Sequence, residues 1–258
     1  MTAVLYSLPL LLLFSLPAPP AQQVLRTKHD YFSTDNLGNM YLVNDAELLK
    51  YNAGGDLLVR YSNLKLGDIG SVDATNPLKI LIYYPDYQQM LFLDNQLSPN
   101  GQPISLQELG LEQAAMVCAG ANNSFWVFDS RNSELIRFDQ NRKKIASTGN
   151  LRQVLNAEIK PVMMREHNNF LYLNCPETGI YVFDIFGAFS KLLPLKGIID
   201  LQANKELIYY HKAGILCSYD QRLVEERCDS LPAGVRLARV AGDKKYLSYG
   251  DSILVNKL

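Results

Sequence analysis

A hairpin pattern that recurs six times, runs too short and too β-branched for helices, and one unpartnered strand near each end predict an all-β chain. The fold these features specify is a six-bladed β-propeller of four-stranded antiparallel blades, its N-terminal strand completing the last blade. An apolar-aromatic run ends in Asp or Asn at Asn52, Asp94, Asp139, Asp184, Asp220 and Asn256, with gaps of 42, 45, 45, 36 and 36 residues. Those intervals lie in or just below the roughly 40–45 residue period of propeller blades. A hairpin cannot bury both its faces alone, and stacking copies about an axis does so.

Taken in order, residues 1–21 read as a signal peptide. Leu8 to Leu16 form a short apolar stretch, and Pro17-Ala18-Pro19-Pro20-Ala21 supplies a small-residue exit. The stretch is shorter than the roughly 20 residues a membrane span needs, so no stable span is expected after its removal. Residues 22–258 are then one propeller domain. Val24 to Thr27 is a strand with no hairpin before it.

The inner strands are expected at Tyr31 to Thr34, Ile69 to Asp73, Ala115 to Ala119, Val162 to Arg165, Ile198 to Leu201 and Leu237 to Val240. Each is followed by a hairpin whose first strand is Met40 to Val43, Ile80 to Tyr84, Phe125 to Phe128, Phe170 to Leu173, Leu207 to Tyr210 or Tyr246 to Tyr249. Turn residues follow: Asn44-Asp45, Pro85-Asp86, Asp129 to Ser133, Pro176 to Gly179, Lys212 to Gly214 and Gly250-Asp251. Outer strands are clearest at Leu57 to Tyr61, Phe189 to Leu193 and Leu223 to Arg227, and the one after Asp94 is poorly marked. Two long connections each carry a helical turn, at Leu106 to Leu109 and Leu151 to Leu155. The last copy has no outer strand, so Val24 to Thr27 is expected to pair with Ile253 to Val255 and leave no open sheet edge.

The segment Asp35-Asn36-Leu37-Gly38-Asn39-Met40-Tyr41-Leu42 leading into Leu49-Lys50-Tyr51 resembles the blade signature of six-bladed NHL-type and TolB-type propellers. With Asn76 to Leu81 and Tyr181 to Gly187, the wider pattern resembles exported propeller-like proteins of Bacteroidetes. The resemblance implies fold and an exported location, periplasmic or extracellular; propellers host many unrelated functions.

A net charge of −1 gives no long-range attraction for nucleic acid or an anionic membrane. The recurring Asx residues read as turn hardware, each side-chain oxygen bonding the backbone two residues on. The histidines His29, His167 and His211 lack the spacing of a metal site, and no cofactor motif, nucleophile elbow or phosphate loop is present. Neither a metal nor a cofactor is expected. Centring one hairpin between Asp220 and Leu223 sets Cys217 opposite Cys228, close enough for a cross-strand bridge, while Cys118 and Cys175 read as small core residues.

Ligands of propellers usually meet the face bearing the hairpin turns. Here that face would hold Asp45, Tyr84, Asp86, Tyr87, Asp129, Arg131, Arg152, Glu177, His211 and Lys212. No catalytic constellation accompanies them. The expected function is an exported, non-enzymatic binding or scaffold protein of the bacterial cell envelope, its partner an envelope protein or a glycan. The alternative is a propeller enzyme of lactonase, lyase or glycosidase type, which for glycoside chemistry needs two carboxyl groups about 5–9 Å apart near the channel.

Overall fold

The computed structural model describes residues 23–204 and 206–258, so the expected signal peptide lies outside the described residues. Six four-stranded antiparallel sheets form a ring, a six-bladed β-propeller. Blade 1 comprises β2 (Tyr31–Thr34), β3 (Met40–Asn44), β4 (Glu47–Tyr51) and β5 (Leu57–Ser62). Blade 2 comprises β6 (Ser71–Asp73), β7 (Ile80–Tyr84), β8 (Gln89–Leu93) and β9 (Ile104–Ser105). Blade 3 comprises β10 (Ala114–Ala119), β11 (Phe125–Asp129), β12 (Glu134–Phe138) and β13 (Lys144–Ser147). Blade 4 comprises β14 (Met163–His167), β15 (Phe170–Cys175), β16 (Gly179–Asp184) and β17 (Phe189–Leu193). Blade 5 comprises β18 (Asp200–Asn204), β19 (Leu207–Lys212), β20 (Ile215–Asp220) and β21 (Glu225–Ser230). Blade 6 comprises β22 (Leu237–Ala241), β23 (Lys244–Ser248), β24 (Ser252–Lys257) and, from the other end of the chain, β1 (Gln23–Arg26).

Middle strands are largely apolar because each blade is sandwiched between two others. Along β7, Ile80, Ile82 and Tyr84 pack toward blade 1 with Tyr41, Val43 and Leu48, while Leu81 and Tyr83 pack toward blade 3 with Val117, Phe125 and Val127. Alternate side chains thus serve opposite seams. Each fully buried aliphatic or aromatic side chain contributes about 1.5–3 kcal/mol. Between blades 3 and 4 the seam is built on Trp126, Leu135, Leu171 and Phe183.

Closure follows the expected pairing, with Val24 opposite Leu254 and Leu25 opposite Ile253. His29 locks it. Its Nδ1–H donates to the Thr27 carbonyl at 2.8 Å, which leaves Nε2 to accept from the Ser248 hydroxyl at 2.6 Å. The His29 amide donates to Gly250 at 2.9 Å, and the Tyr246 hydroxyl crosses to the Gly38 carbonyl at 3.0 Å.

Five of the six closing Asx residues are turn hardware, as expected, whereas Asn256 lies within β24 opposite Lys245. Asp94 Oδ1 accepts the amides of Gln96 and Ser98 at 2.8 and 2.9 Å, and Asp184 Oδ1 those of Phe186 and Ala188 at 2.8 and 2.9 Å. Asn52 and Asp139 do the same for their own turns. The fourth position of this turn has positive φ. Gly55 and Gly187 occupy it in blades 1 and 4, Leu97 (57°) and Arg142 (65°) in blades 2 and 3.

Several expected boundaries shift: the inner strands placed at Ile69 to Asp73, Val162 to Arg165 and Ile198 to Leu201 run over Ser71–Asp73, Met163–His167 and Asp200–Asn204. The outer strand placed at Leu223 to Arg227 runs instead over Glu225–Ser230, because Val224 takes a positive φ of 59° and extends the turn. Blade 2 has an outer strand of only two residues, Ile104–Ser105, reached through Pro99, Gly101 and Pro103. Pro has no amide to give a ladder. The helical turns appear at Gln107–Leu109 and Leu151–Leu155. No helix among the described residues is long and apolar enough to cross a membrane.

Candidate functional site: a polar axial channel

The inner strands leave a channel on the axis. Its upper end lies on the face carrying the β3–β4, β7–β8 and equivalent hairpin turns; its lower end lies among the turns that join each inner strand to the next. The upper chamber, about 170 Å³, is walled by Tyr31, Asp73, Val117, Met163, Arg165 and Asp200. A larger lower chamber, about 640 Å³, is lined by Ser33, Asp35, Asn36, Thr75, Arg165, His167, Gln202, Asn204 and Arg239 among others. Residues two apart on each inner strand share a face, which is why Asp200, Gln202 and Asn204 descend one wall and Arg165 and His167 another.

Four charges separate the chambers. Arg165 Nη1 lies 2.5 Å from Asp73 Oδ1, and both side chains are buried. Arg239 Nη2 donates to Asp200 Oδ1 at 2.8 Å and to the Tyr31 hydroxyl at 2.8 Å, while its Nη1 reaches Ser33 Oγ at 3.2 Å. Burial pushes the Asp73 carboxyl up, but the Arg165 guanidinium and the Thr75 amide outweigh that and hold it below its ordinary value. Asp73 therefore remains a carboxylate. Tyr31 is driven the other way by burial, so its phenol stays protonated.

The other carboxylates of the lower end are saturated. Asp35 accepts from the amides of Leu37 and Asn39, the Asn39 side chain and the Tyr41 hydroxyl, all at 2.8–2.9 Å. Glu166 accepts from the Ala121 amide at 2.7 Å and the Trp126 indole at 2.6 Å, with Arg137 at 3.7 Å. Gln202 bonds Thr34 at 3.1 Å and clamps both backbone groups of Val240, at 2.8 and 3.2 Å, fixing blade 5 to blade 6.

The residues expected on the upper face are placed around its rim and line neither axial chamber. Asp45, Asp86, Tyr87, Arg131, Arg152 and Glu177 are exposed and spread over separate blades. Asp45 uses its carbonyl to hold the Ile69 amide at 3.0 Å, Arg131 pairs with Glu112, and Glu177 lies 3.8 Å from Lys160. Lys212 sits 3.2 Å from Glu226 and over the Tyr210 ring. Three are buried: Tyr84 within the seam between blades 1 and 2, Asp129 capping its own turn through the amides of Arg131 and Asn132, and His211. Neither His211 nitrogen has a hydrogen-bond partner, and burial lowers its pKa, with Asp200 partly offsetting the effect.

Cys217 and Cys228 stand opposite each other in β20 and β21 and are joined as a disulfide, Cα atoms 4.1 Å apart, whereas Cys118 and Cys175 are buried and free. Among the described residues, the one grouping of His, Cys, Asp and Glu close enough to share a metal is Cys217, Glu226 and Cys228, and the disulfide takes both sulfurs. Sequence reasoning passed over the axial residues. Their signal was a charged side chain inside a short inner strand, where burial demands a partner.

No family model matches the chain, and no curated protein matches its sequence. Among solved structures it is similar to a streptogramin B lyase, at 14% identity over 88% of this chain and 78% of that one, TM-score 0.59. It is likewise similar to the Pan2 WD40 domain of Neurospora crassa, at 10% identity over 94% and 93%, TM-score 0.61. An extracellular domain from B. thetaiotaomicron matches at 14% identity over 88% of this chain and 32% of that one, TM-score 0.55. At such identities the likeness establishes one thing: the chain is a β-propeller.

Proposed function

We propose that the chain is an exported, non-enzymatic binding protein of the bacterial cell envelope, and that its ligand is a polar group received by the lower chamber. One observation carries this reading. The axial charges Asp73, Arg165, Asp200 and Arg239 pair within the channel, while the 640 Å³ space beneath adds to the two arginines and the hydrogen-bonded Asp35 a set of neutral side chains, Ser33, Asn36, Thr75, Gln202 and Asn204. Such a volume suits a small-molecule or oligosaccharide group. Paired ions of this kind can position a ligand. The disulfide favours an oxidising compartment, and the resemblance of the blades to NHL-type, TolB-type and exported Bacteroidetes propellers points the same way.

The test is calorimetric titration with defined envelope oligosaccharides and short peptides, product analysis being run on every mixture. Asn36→Ala and Asn204→Ala in the lower chamber are expected to weaken the binding oligosaccharide about tenfold, the worth of one or two good hydrogen bonds. Asp86→Ala and Arg131→Ala on the upper rim are expected to leave it unchanged. Binding lost only by the rim variants, ligand turnover, or no binding by any probe would overturn the reading.

A further inference from the structure

The lower chamber does not end at the axis. Thr75 and His167 wall both it and a second hollow of about 390 Å³, between the inner turns of blades 2, 3 and 4. Lys79, Phe92 and Asn123 wall that hollow and a third, of about 370 Å³, which follows the seam of blades 2 and 3 outward past Gln102, Gln140 and Arg142. Three hollows with shared walls thus follow one another from axis to rim as a trough, and Lys79, bonded to Asn123 Oδ1 at 3.2 Å, stands where the outer two meet.

One repeat position distinguishes its outer part from the seams on either side. Two residues before the closing Asx, blade 1 carries Lys50, whose Nζ donates to the Asn95 carbonyl in the turn of blade 2 at 2.7 Å. Blade 3 carries Arg137 there, donating to the Ile185 carbonyl of blade 4 at 3.1 Å. Blade 2 carries Phe92. Its ring packs edge-on against Phe125, 6.3 Å away, and it has no donor for the turn of blade 3, so a hollow remains at the lower mouth of that seam.

We infer that this trough is a binding site for an acidic oligosaccharide, an inference that rests on the proposed binding role of the lower chamber. Side-chain amides dominate its walls: Asn76, Asn122, Asn123, Gln102 and Gln140. An amide offers donor and acceptor together, the pair that matches vicinal hydroxyls. The one carboxylate on the two outer hollows, Glu166, is buried, bonded to Ala121 and Trp126, and offset by Arg137 at 3.7 Å. What remains charged is cationic. Lys79 lies over the Phe92 ring 3.2 Å from Asn123 Oδ1, and Arg142 stands on the rim. Arg142 holds a positive φ at the turn position that Leu97 shares in blade 2 and Gly55 and Gly187 fill in blades 1 and 4. Phe92 is buried beneath Lys79 and presents no open stacking platform, which separates the trough from a nucleic-acid groove.

The experiment titrates the full chain with tetragalacturonate, its neutral methyl ester and a single-stranded oligonucleotide of equal charge. The acid is expected to bind at least fivefold more tightly than the ester at low salt, and added salt should erase that margin. Arg142→Gly, which puts in the residue that blades 1 and 4 use, should fold normally and cost about threefold in acid affinity alone, as an exposed ion pair does. Lys79→Gln should act likewise. Equal binding of acid and ester, or equal binding of the oligonucleotide, overturns the inference and leaves the lower chamber's role intact. If Asn204→Ala fails to weaken either sugar while Arg142→Gly does, the lower-chamber reading fails instead, and binding of neither sugar overturns the inference outright.

Discussion

The seams between blades 3 and 4 and between blades 2 and 3 share one backbone design and differ in what occupies a single repeat position. Arg137 closes the first. Its Nε donates to Ser124 Oγ at 2.9 Å, Nη2 to the Ala121 carbonyl at 3.2 Å and Nη1 across to Ile185, with Glu166 alongside. Phe92 leaves the second open to a 370 Å³ hollow. The seam of blades 4 and 5 repeats the lesson. Val182 stands at the same position, Tyr172 and Gln221 bond each other instead, and a hollow of about 300 Å³ remains. Blades 1 and 3 carry a cationic latch at this position and the other four carry Phe92, Val182, Ser218 and Leu254; two of those unlatched seams hold outer hollows.

The largest effect expected from breaking this comparison is at Arg137. Arg137→Met strips a buried guanidinium from Glu166 and three hydrogen-bond acceptors, and should cost about 3–5 kcal/mol of unfolding free energy. Lys50→Met removes one charge-assisted bond and should cost about 1.5–3 kcal/mol. Phe92→Leu, at the equivalent position with no latch to lose, should cost less than either. Urea denaturation of the three variants decides the matter. Equal losses at all three positions would mean the latches contribute nothing beyond packing.

A second, smaller effect concerns how an unlatched blade holds its rim. In blade 5 every residue of β21 is exposed, so the strand buries nothing and relies on its ladder, on Lys212 with Glu226, and on the Cys217–Cys228 bridge. Replacing both cysteines by serine opens a loop of sequence separation 11 and should cost about 2–3 kcal/mol. Amide exchange should quicken first along β21, with the latched blade 1 unaffected. Uniform quickening around the ring would show that blade 5 is no weaker than its neighbours.

The shared rule was readable in the amino-acid sequence and the departures were not. Alternating apolar residues on both faces of β7 or β11, an Asx at each hairpin end and a spare strand at Val24 are local signals, and they suffice for blades and closure. The Cys217–Cys228 register was local too, because both residues lie in one hairpin. The axial pairs are not local: Arg165 meets Asp73 from two blades away, and only the ring sets that distance. Polar turn residues were read as a rim, yet Tyr84, Asp129 and His211 are buried, since a residue at a strand's end still faces the neighbouring blade. Phe92 looked like one more aromatic strand residue; its meaning appears only beside Lys50 and Arg137.

The smallest effect compares the seam that closes the ring with the one before it. His29 is bonded through both nitrogens, and His211 through neither. Burial lowers both folded pKa values below the ordinary value near 6.5. The unfolded chain then binds protons first as pH falls, so stability is full above about pH 6.5, declines below it and levels off only beneath the lowered folded values. His211→Leu should remove part of that slope while leaving stability at pH 7.5 unchanged or higher, because it deletes an unpaired buried imidazole. His29→Leu should also flatten the slope but lower stability at pH 7.5, since two hydrogen bonds are lost. Denaturation midpoints from pH 5 to 8 distinguish the two. A wild-type curve flat across that range would show that neither imidazole is held neutral by burial, and the seams would then differ in packing alone.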